Sequence, residues 1–412
     1  MSTPVPQPPA PDVDPASAPR SPGLRRLADL LPHVAVGRLV FQWPDGSRRV
    51  AEGPNEGPEG TMIISRDRFV ERVARAPDLA LAEAYVDGDW DSPDLAALLE
   101  VLALNRHVLQ PRLRRGLIRR MRRGARLLLG QRQRPVETPF ERLGPVFHEP
   151  WLDATMSHGL ATFIEGDESL EVAQWTGHAA LAGRVGLQPD HRVLDFGAGF
   201  GAFAAYAAGE IGAQVTAMAL NPEEQDYAGR RLQAVGIGDR VQFRLLGDQP
   251  LDAHFKPGSF ERIVAIGTLE LFGEKEWPKI LRAMRTVLTP EGQVGLQVVL
   301  VPDDAWKAYR ADTDPLREHI FPGALLPSYR HLCAVAGKAG LAPAGERQDL
   351  VGSSAALTLR SWQDRFKEAW PRLEASGFDA RFRRLWTFYL AYAEAAFRTH
   401  GAVASLVAFR PA

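Results

Sequence analysis

The sequence predicts an α/β protein, an open and mainly parallel sheet in its larger C-terminal part preceded by a small α+β unit. Three observations predict it. From about Thr138 short β-branched runs alternate with amphipathic stretches, the order expected when helices link parallel strands. One run, Val193-Leu194-Asp195-Phe196, ends in glycines at alternate positions, Gly197, Gly199 and Gly201, before a helical stretch from Ala202 to Ile211. The chain of 412 residues, 45% hydrophobic and 24% charged, is long enough for cores in two or three domains.

Eight of the first 22 residues are proline, so residues 1–22 read as a disordered tail that cannot bury enough apolar surface to offset its ordering entropy. Val34, Val36, Leu39 and Phe41 then mark a strand, Pro44-Asp45-Gly46 a turn, and Arg48 and Val50 its return. Thr61 to Ser65 reads as another short strand. Arg66 to Asn105 has helical spacing, broken near Pro77 and between Gly88 and Pro93, which completes an α+β domain over residues 23–105.

Residues 106–137 read as a basic amphipathic linker helix. Ten arginines and no acidic residue fall within 111–134, with Leu113, Leu117, Met121 and Leu128 on one face. Near an anionic membrane each arginine contributes about 1 kcal/mol; a solvated linker or a nucleic-acid patch fits the composition equally well. The remainder, 138–412, is the sheet domain, with strands expected at Arg192–Phe196, Gln214–Ala219, Val241–Leu246, Arg262–Ile266, Val294–Val301 and Val403–Phe409.

Global properties narrow the function. Forty-nine Lys and Arg against fifty Asp and Glu leave a net charge of -1, with no overall attraction to nucleic acid. The single cysteine, Cys333, excludes an intramolecular disulfide and a multi-cysteine metal site, so no metal is expected and a reducing cytoplasm is the default compartment. No run approaches the roughly 18–20 apolar residues of a membrane span, and no signal peptide is evident.

The glycine loop permits unusual backbone angles and close ligand approach at the C-terminal edge of a sheet. Its spacing differs from the dinucleotide pattern G-x-G-x-x-G, and no Gly-Lys-Ser/Thr follows, which disfavours nicotinamide and nucleoside triphosphates. The next strand ends in Met218-Ala219-Leu220-Asn221-Pro222-Glu223-Glu224-Gln225, the third in Gly247-Asp248 and the fourth in Gly267-Thr268-Leu269-Glu270-Leu271-Phe272-Gly273. Four such loops on one edge resemble a class I S-adenosylmethionine (SAM) methyltransferase. The resemblance implies that Asp195, Gly197, Gly199 and Gly201 meet the amino-acid part of SAM, Glu224 and Gln225 the ribose, and Asp248 the adenine. Read as plain residues, Asp195 braces the loop, Glu224 favours a helix N-terminus and Asp248 sits in a turn.

Nearly the whole chain after the tail resembles the cyclopropane-fatty-acyl-phospholipid synthase and mycolic acid methyltransferase family. The matching segments are Glu83-Ala84-Tyr85-Val86-Asp87-Gly88-Asp89-Trp90, Gly166 to Gln174, the glycine loop, Phe321 to Ser328, Thr358-Leu359 with Trp362, and Phe388-Tyr389-Leu390 through Ala396-Phe397-Arg398. The resemblance implies a SAM-dependent enzyme, peripheral on the inner membrane face, that methylates the cis double bond of an unsaturated phospholipid acyl chain; a homodimer is left open. It also implies that helical insertions form an acyl channel, with Trp362, Phe366, Trp370, Phe382, Leu385, Trp386, Tyr389, Ala393 and Phe397 supplying its apolar faces or, on the plainer reading, packing the core.

In the family the proton is thought to leave to a bicarbonate ion held by polar residues. Here those positions have drifted: the family's cysteine falls on Leu160, its two tyrosines on His158 and Thr162, its strand histidine on Gln297, and its His-Tyr pair on Ser354-Ala355. Of the expected bicarbonate ligands only Glu270 survives. The cofactor side departs as well, at Phe140-Glu141-Arg142 and Gln249. Glu270 is therefore the expected base, or else a residue leading into a helix near Glu274; His158 is a candidate proton relay or a partly exposed loop histidine. A methyl branch, a methylene or another non-cyclopropane product is expected. The competing expectation is a lipid-binding or later-step protein, as in furan fatty acid formation, without methyl transfer.

Overall fold

The computed structural model describes residues 29, 31–73, 77–109, 143–247, 249–312, 314–350 and 353–412. The expected tail, most of the basic linker, Phe140-Glu141-Arg142 and Asp248 lie outside them. The chain divides into two compact units, 1–131 and 132–412.

The first unit holds β1 (Val36–Gln42), β2 (Arg48–Glu52), β3 (Asn55–Ile64) and β4 (Trp90–Asp91), with helices α1 (Arg68–Val73), α2 (Pro77–Val86) and α3 (Leu95–Leu104). Its sheet order is β2-β1-β3-β4; β1 pairs antiparallel with β2 and parallel with β3. Gly46, at φ +85°, turns the expected hairpin. The strand expected at Thr61–Ser65 begins earlier, at Asn55, and the break between helices after Gly88 contains β4. Buried Asn105 ties the end of α3 to the start of β1: its Oδ1 accepts the Ala35 and Val36 N–H groups, and its Nδ2 donates to the Val36 and Val101 carbonyls. Fully buried Asp89, within the Glu83–Trp90 match, is ion-paired with Arg66, Arg68 and Arg72, as a buried carboxylate requires.

The second unit opens with α4 (Pro145–His148) and α5 (Leu170–Arg184), then alternates β5 (Arg192–Phe196), α6 (Ala202–Tyr206), β6 (Gln214–Ala219), α7 (Pro222–Ala234), β7 (Val241–Leu245) and β8 (Phe260–Ile266). It continues with α8 (Trp277–Val287), β9 (Leu288–Leu300), α9 (Trp306–Ala311), α10 (Pro315–His319), α11 (Tyr329–Lys338), β10 (Leu341–Pro343) and β11 (Gln348–Asp349), and closes with α12 (Ser354–Ala375), α13 (Ala380–Arg398) and β12 (Val403–Pro411). The sheet order is β10-β12-β9-β8-β5-β6-β7, with β11 also on β12. Strands β5 to β9 are mutually parallel, and β12 runs antiparallel between β9 and β10. All six expected strands are present, and Val193, Leu194, Ile263, Val264 and Val294 are fully buried, as parallel strands covered on both faces require.

This order has its switch point at β5. From β5 the chain steps outward to β6 and β7, then returns to the opposite side at β8 and β9, so connections diverge and the C-terminal strand ends border a crevice. Helices α12 and α13 pack against one another. Phe366, Phe382 and Trp386 form a continuous ring cluster with Phe147 and Trp151, with centroids 4.7–6.4 Å apart. Phe366, Phe382 and Trp386, expected either to line a channel or to pack a core, are buried in this cluster; Ala393 and Phe397 are only half-buried.

Candidate active site

Each of the three loop glycines has φ in the left-handed region, +76°, +51° and +80° at Gly197, Gly199 and Gly201. At Gly197 a Cβ would stand 2.3 Å from Thr268 Cγ2, so the glycine also lets the loops after β5 and β8 close on each other. At Gly199 nothing lies within 4 Å of that position; its backbone faces open space. The loop is pinned from β6, because the Gly197 and Ala198 N–H groups both donate to the Met218 carbonyl at 3.0 Å. Asp195 is buried at the end of β5. One carboxylate oxygen meets the Ala204 N–H in the first turn of α6, which is the bracing role, while Oδ2 has no partner among the described residues. Burial pushes its pKa up to about 7.

Beyond β6 the chain forms a reciprocal cap. Asn221 Oδ1 accepts the Glu224 N–H at 2.9 Å, while the Glu224 carboxylate accepts from Leu220 at 3.4 Å and faces the Asn221 N–H. This capping box places Glu224 at the mouth of the crevice, and burial raises its pKa. Gln225 follows, half-buried on the first turn of α7.

Glu270 lies in a 3-10 turn, Leu269–Leu271, after β8, and is 6% exposed. It does not cap the next helix, which begins at Trp277 rather than near Glu274. Its Oε1 instead accepts the Val299 N–H of β9 at 2.6 Å, two residues beyond the end of the β8–β9 ladder at Gln297, where β8 no longer supplies a carbonyl. Oε2 is buried with no partner among the described residues, and burial pushes the carboxyl pKa up to about 7. The Phe321–Ser328 match packs here: Leu325 N–H donates to the Glu270 carbonyl at 2.9 Å.

His158 lies in the loop before α5 and is half-buried. Its ring stacks on Trp362 with centroids 4.9 Å apart and 7° between planes, and meets Trp151 and His148 edge-on. His148 in turn touches Phe200 of the glycine loop. Burial, reinforced by His148, pushes the His158 pKa down to about 3, so the imidazole is neutral near pH 7.

The sequence model for mycolic acid cyclopropane synthetase matches residues 139–405. The chain belongs to this family. Its relatives include the tuberculostearic acid methyltransferase of Mycobacterium tuberculosis, 30% identical over 91% of this chain and 87% of that protein. The cyclopropane-fatty-acyl-phospholipid synthase of Escherichia coli (strain K12) is 29% identical over 84% of this chain and 86% of that protein. The fold matches a crystal structure of a mycolic acid cyclopropane synthase complexed with SAH and CTAB, with a TM-score of 0.57 and 22% identity over 66% of this chain and 95% of that one. The family is one of SAM-dependent, lipid-modifying methyltransferases, built on the class I fold described above.

In this member of the cyclopropane synthetase family, residues 151–163 are fastened to the body almost entirely by side-chain-to-backbone bonds. Gln297 of β9 takes the Leu160 N–H at 2.8 Å and returns an amide hydrogen to the Leu160 carbonyl at 2.9 Å. Gln174 donates to Gly159 O, Thr358 accepts from Ala161, and Ser354 bonds both the N–H and the carbonyl of Phe163. Arg365 donates to the Trp151 and Leu152 carbonyls; Arg231 joins Ala154 O to Phe200 O of the glycine loop. These fasteners escaped sequence reasoning because their partners are backbone groups, which carry no residue signature. Glu168 in the Gly166–Gln174 match does the same locally, gathering the Ile164, Glu165 and Gly166 N–H groups, which hold its carboxyl at about 2.

Proposed function

We propose that this protein transfers a methyl group from SAM to the cis double bond of an unsaturated phospholipid acyl chain and releases a non-cyclopropane product. The product is a methyl branch beside a shifted alkene, or a methylene. The Glu270 carboxyl carries the reading. It is enclosed at the ligand edge of the sheet, anchored through one oxygen, buried without a partner among the described residues at the other, and near neutrality in pKa.

The residues present fit SAM. The open face at Gly199 and the unpartnered Asp195 Oδ2 suit its amino-acid end, and the capped Glu224, with Gln225, suits the ribose diol; Asp248 is assigned to the adenine on its position after β7. SAM supplies an electrophilic methyl on a positively charged sulfur. The alkene is a weak nucleophile, so the crevice must hold it in line with that methyl and exclude water. With SAM bound, transfer of its methyl to one alkene carbon would leave positive charge on the neighbouring acyl carbon, which the crevice residues would have to accommodate. Glu270, as carboxylate, stabilises that charge and takes a proton from the next chain carbon, whose C–H pair becomes the shifted double bond; a methylene would first require a hydride to move from the methylated carbon to the cationic one, after which the proton leaves the new methyl. The proton leaves to water with product. His158 serves as a neutral wall of the site.

On this reading the enzyme works on the cytoplasmic face of a membrane as a peripheral protein. Ile164 and Val172, 58% and 52% exposed near the start of α5, support the reading with apolar contacts, and the arginines of 111–134 support it with charge. Among the described residues no helix is long and apolar enough to cross a membrane. The drift of the polar positions favours a second reading, an acyl-chain-binding or later-step protein without methyl transfer. Incubation with vesicles of cis-monounsaturated phospholipid and SAM bearing a trideuterated methyl, followed by mass spectrometry of the fatty acids, decides between them. Three retained deuteriums signify a methyl branch and two a methylene or ring; a protein that binds SAM and leaves the chain unlabelled overturns the proposal.

A further inference from the structure

We infer that proton removal in this enzyme needs no bicarbonate: Glu270 acts alone, and of the other positions that correspond to an anion site Gln297 and Ser354 serve as fasteners of residues 158–163. The inference rests on the methyl-transfer reading above. Its basis is the fate of each polar group at those positions. Gln297 is committed at both ends of its amide to the backbone of Leu160. Ser354 is committed to both backbone groups of Phe163. Leu160 and Ala355 are apolar, and His158 is a neutral ring lying flat on Trp362. Thr162 keeps a buried Oγ1 without a partner among the described residues, but this oxygen lies toward α5, 3.5 Å from where a Cβ on Gly177 would stand.

A small anion requires converging N–H or O–H donors or a cation to replace its hydration. What it would meet here is at most the single N–H of the neutral His158 ring and the Glu270 carboxyl, which in the carboxylate form needed for a base offers no donor and a like charge. The same carboxyl is complete as a base. Val299 N–H fixes its direction through Oε1, and Oε2 needs no intermediary to accept a proton. Gln297 is on this account a positioning residue. It holds Leu160 against β9, two residues from the strand position that orients Glu270.

The experiment uses the full chain, unsaturated phospholipid vesicles and deuterated SAM in buffer stripped of carbon dioxide, with and without added bicarbonate. A parallel calorimetric titration of bicarbonate into the protein with S-adenosylhomocysteine present gives a readout independent of turnover. The expected result is label incorporation unchanged within about twofold by bicarbonate, no saturable heat, and loss of incorporation in Glu270→Gln in both buffers. A tenfold or greater fall in stripped buffer that bicarbonate restores, or saturable one-to-one heat, overturns the inference. Wild-type turnover without bicarbonate together with undiminished turnover in E270Q removes Glu270 as the base. Absence of wild-type turnover in both buffers overturns the methyl-transfer reading itself.

Discussion

Replacing Glu270 by Gln separates catalysis from stability. The substitution keeps the side chain's shape and leaves Oε1 able to accept the Val299 N–H, but it removes the proton acceptor. Loss of a positioned base lowers the rate about 10²–10⁴-fold. Stability should move the other way. The interval between an ordinary glutamate's 4.5 and about 7 corresponds to about 3 kcal/mol. Because the folded-state pKa is raised, the fold favours the neutral acid: this contribution is full below about pH 4.5 and is lost as pH climbs through about 7. Glutamine does not titrate, so E270Q should match wild type at pH 5 and be equal or more stable at pH 8. Its gain is reduced by about 1–3 kcal/mol if the new amide hydrogens find no acceptor. Label incorporation and thermal melts at both pH values measure the two effects, and wild-type turnover should rise through about pH 7. Asp195 titrates in the same range, so that rise must persist in Asp195→Asn to belong to Glu270. Full turnover in a folded E270Q, or a rate with no inflection near neutrality, would refute the reasoning.

Gly197→Ala should weaken S-adenosylhomocysteine binding more than tenfold by calorimetry, since its Cβ would stand 2.3 Å from Thr268 Cγ2 at φ +76°; adding Thr268→Ala should recover part of the loss. Asn221→Ala opens the capping box around Glu224 and should cost about 1 kcal/mol in denaturant unfolding, together with weaker cofactor binding. His158→Phe preserves the stack on Trp362 and should leave turnover within about threefold from pH 6 to 8, because the imidazole is neutral there. Trp386→Ala, at the centre of the α12–α13 ring cluster and fully buried, should destabilise by about 3–5 kcal/mol in the same unfolding measurement.

The sequence by itself determined the strand order's raw material and the place of the ligand edge. Periodicity reports which residues are buried, and left-handed backbone at successive loop positions demands glycine, so β5 to β9, β12 and the loop at Gly197, Gly199 and Gly201 were legible before any coordinates. The place of Glu270 at that edge was legible too, from its position after the fourth expected strand and from the family motif it matches. Only the tertiary structure decided what its carboxyl does: the Val299 N–H that anchors it comes from a strand 29 residues away, and the burial that raises its pKa is a property of packing. His158 shows the same limit. A histidine in a loop sequence gives no sign that Trp362, about two hundred residues later, will lie flat against it and keep it neutral. Gln297 and Ser354 looked like departures from a pattern because their partners are backbone groups of Leu160 and Phe163, and a backbone group looks the same at every position until the fold brings it to a side chain.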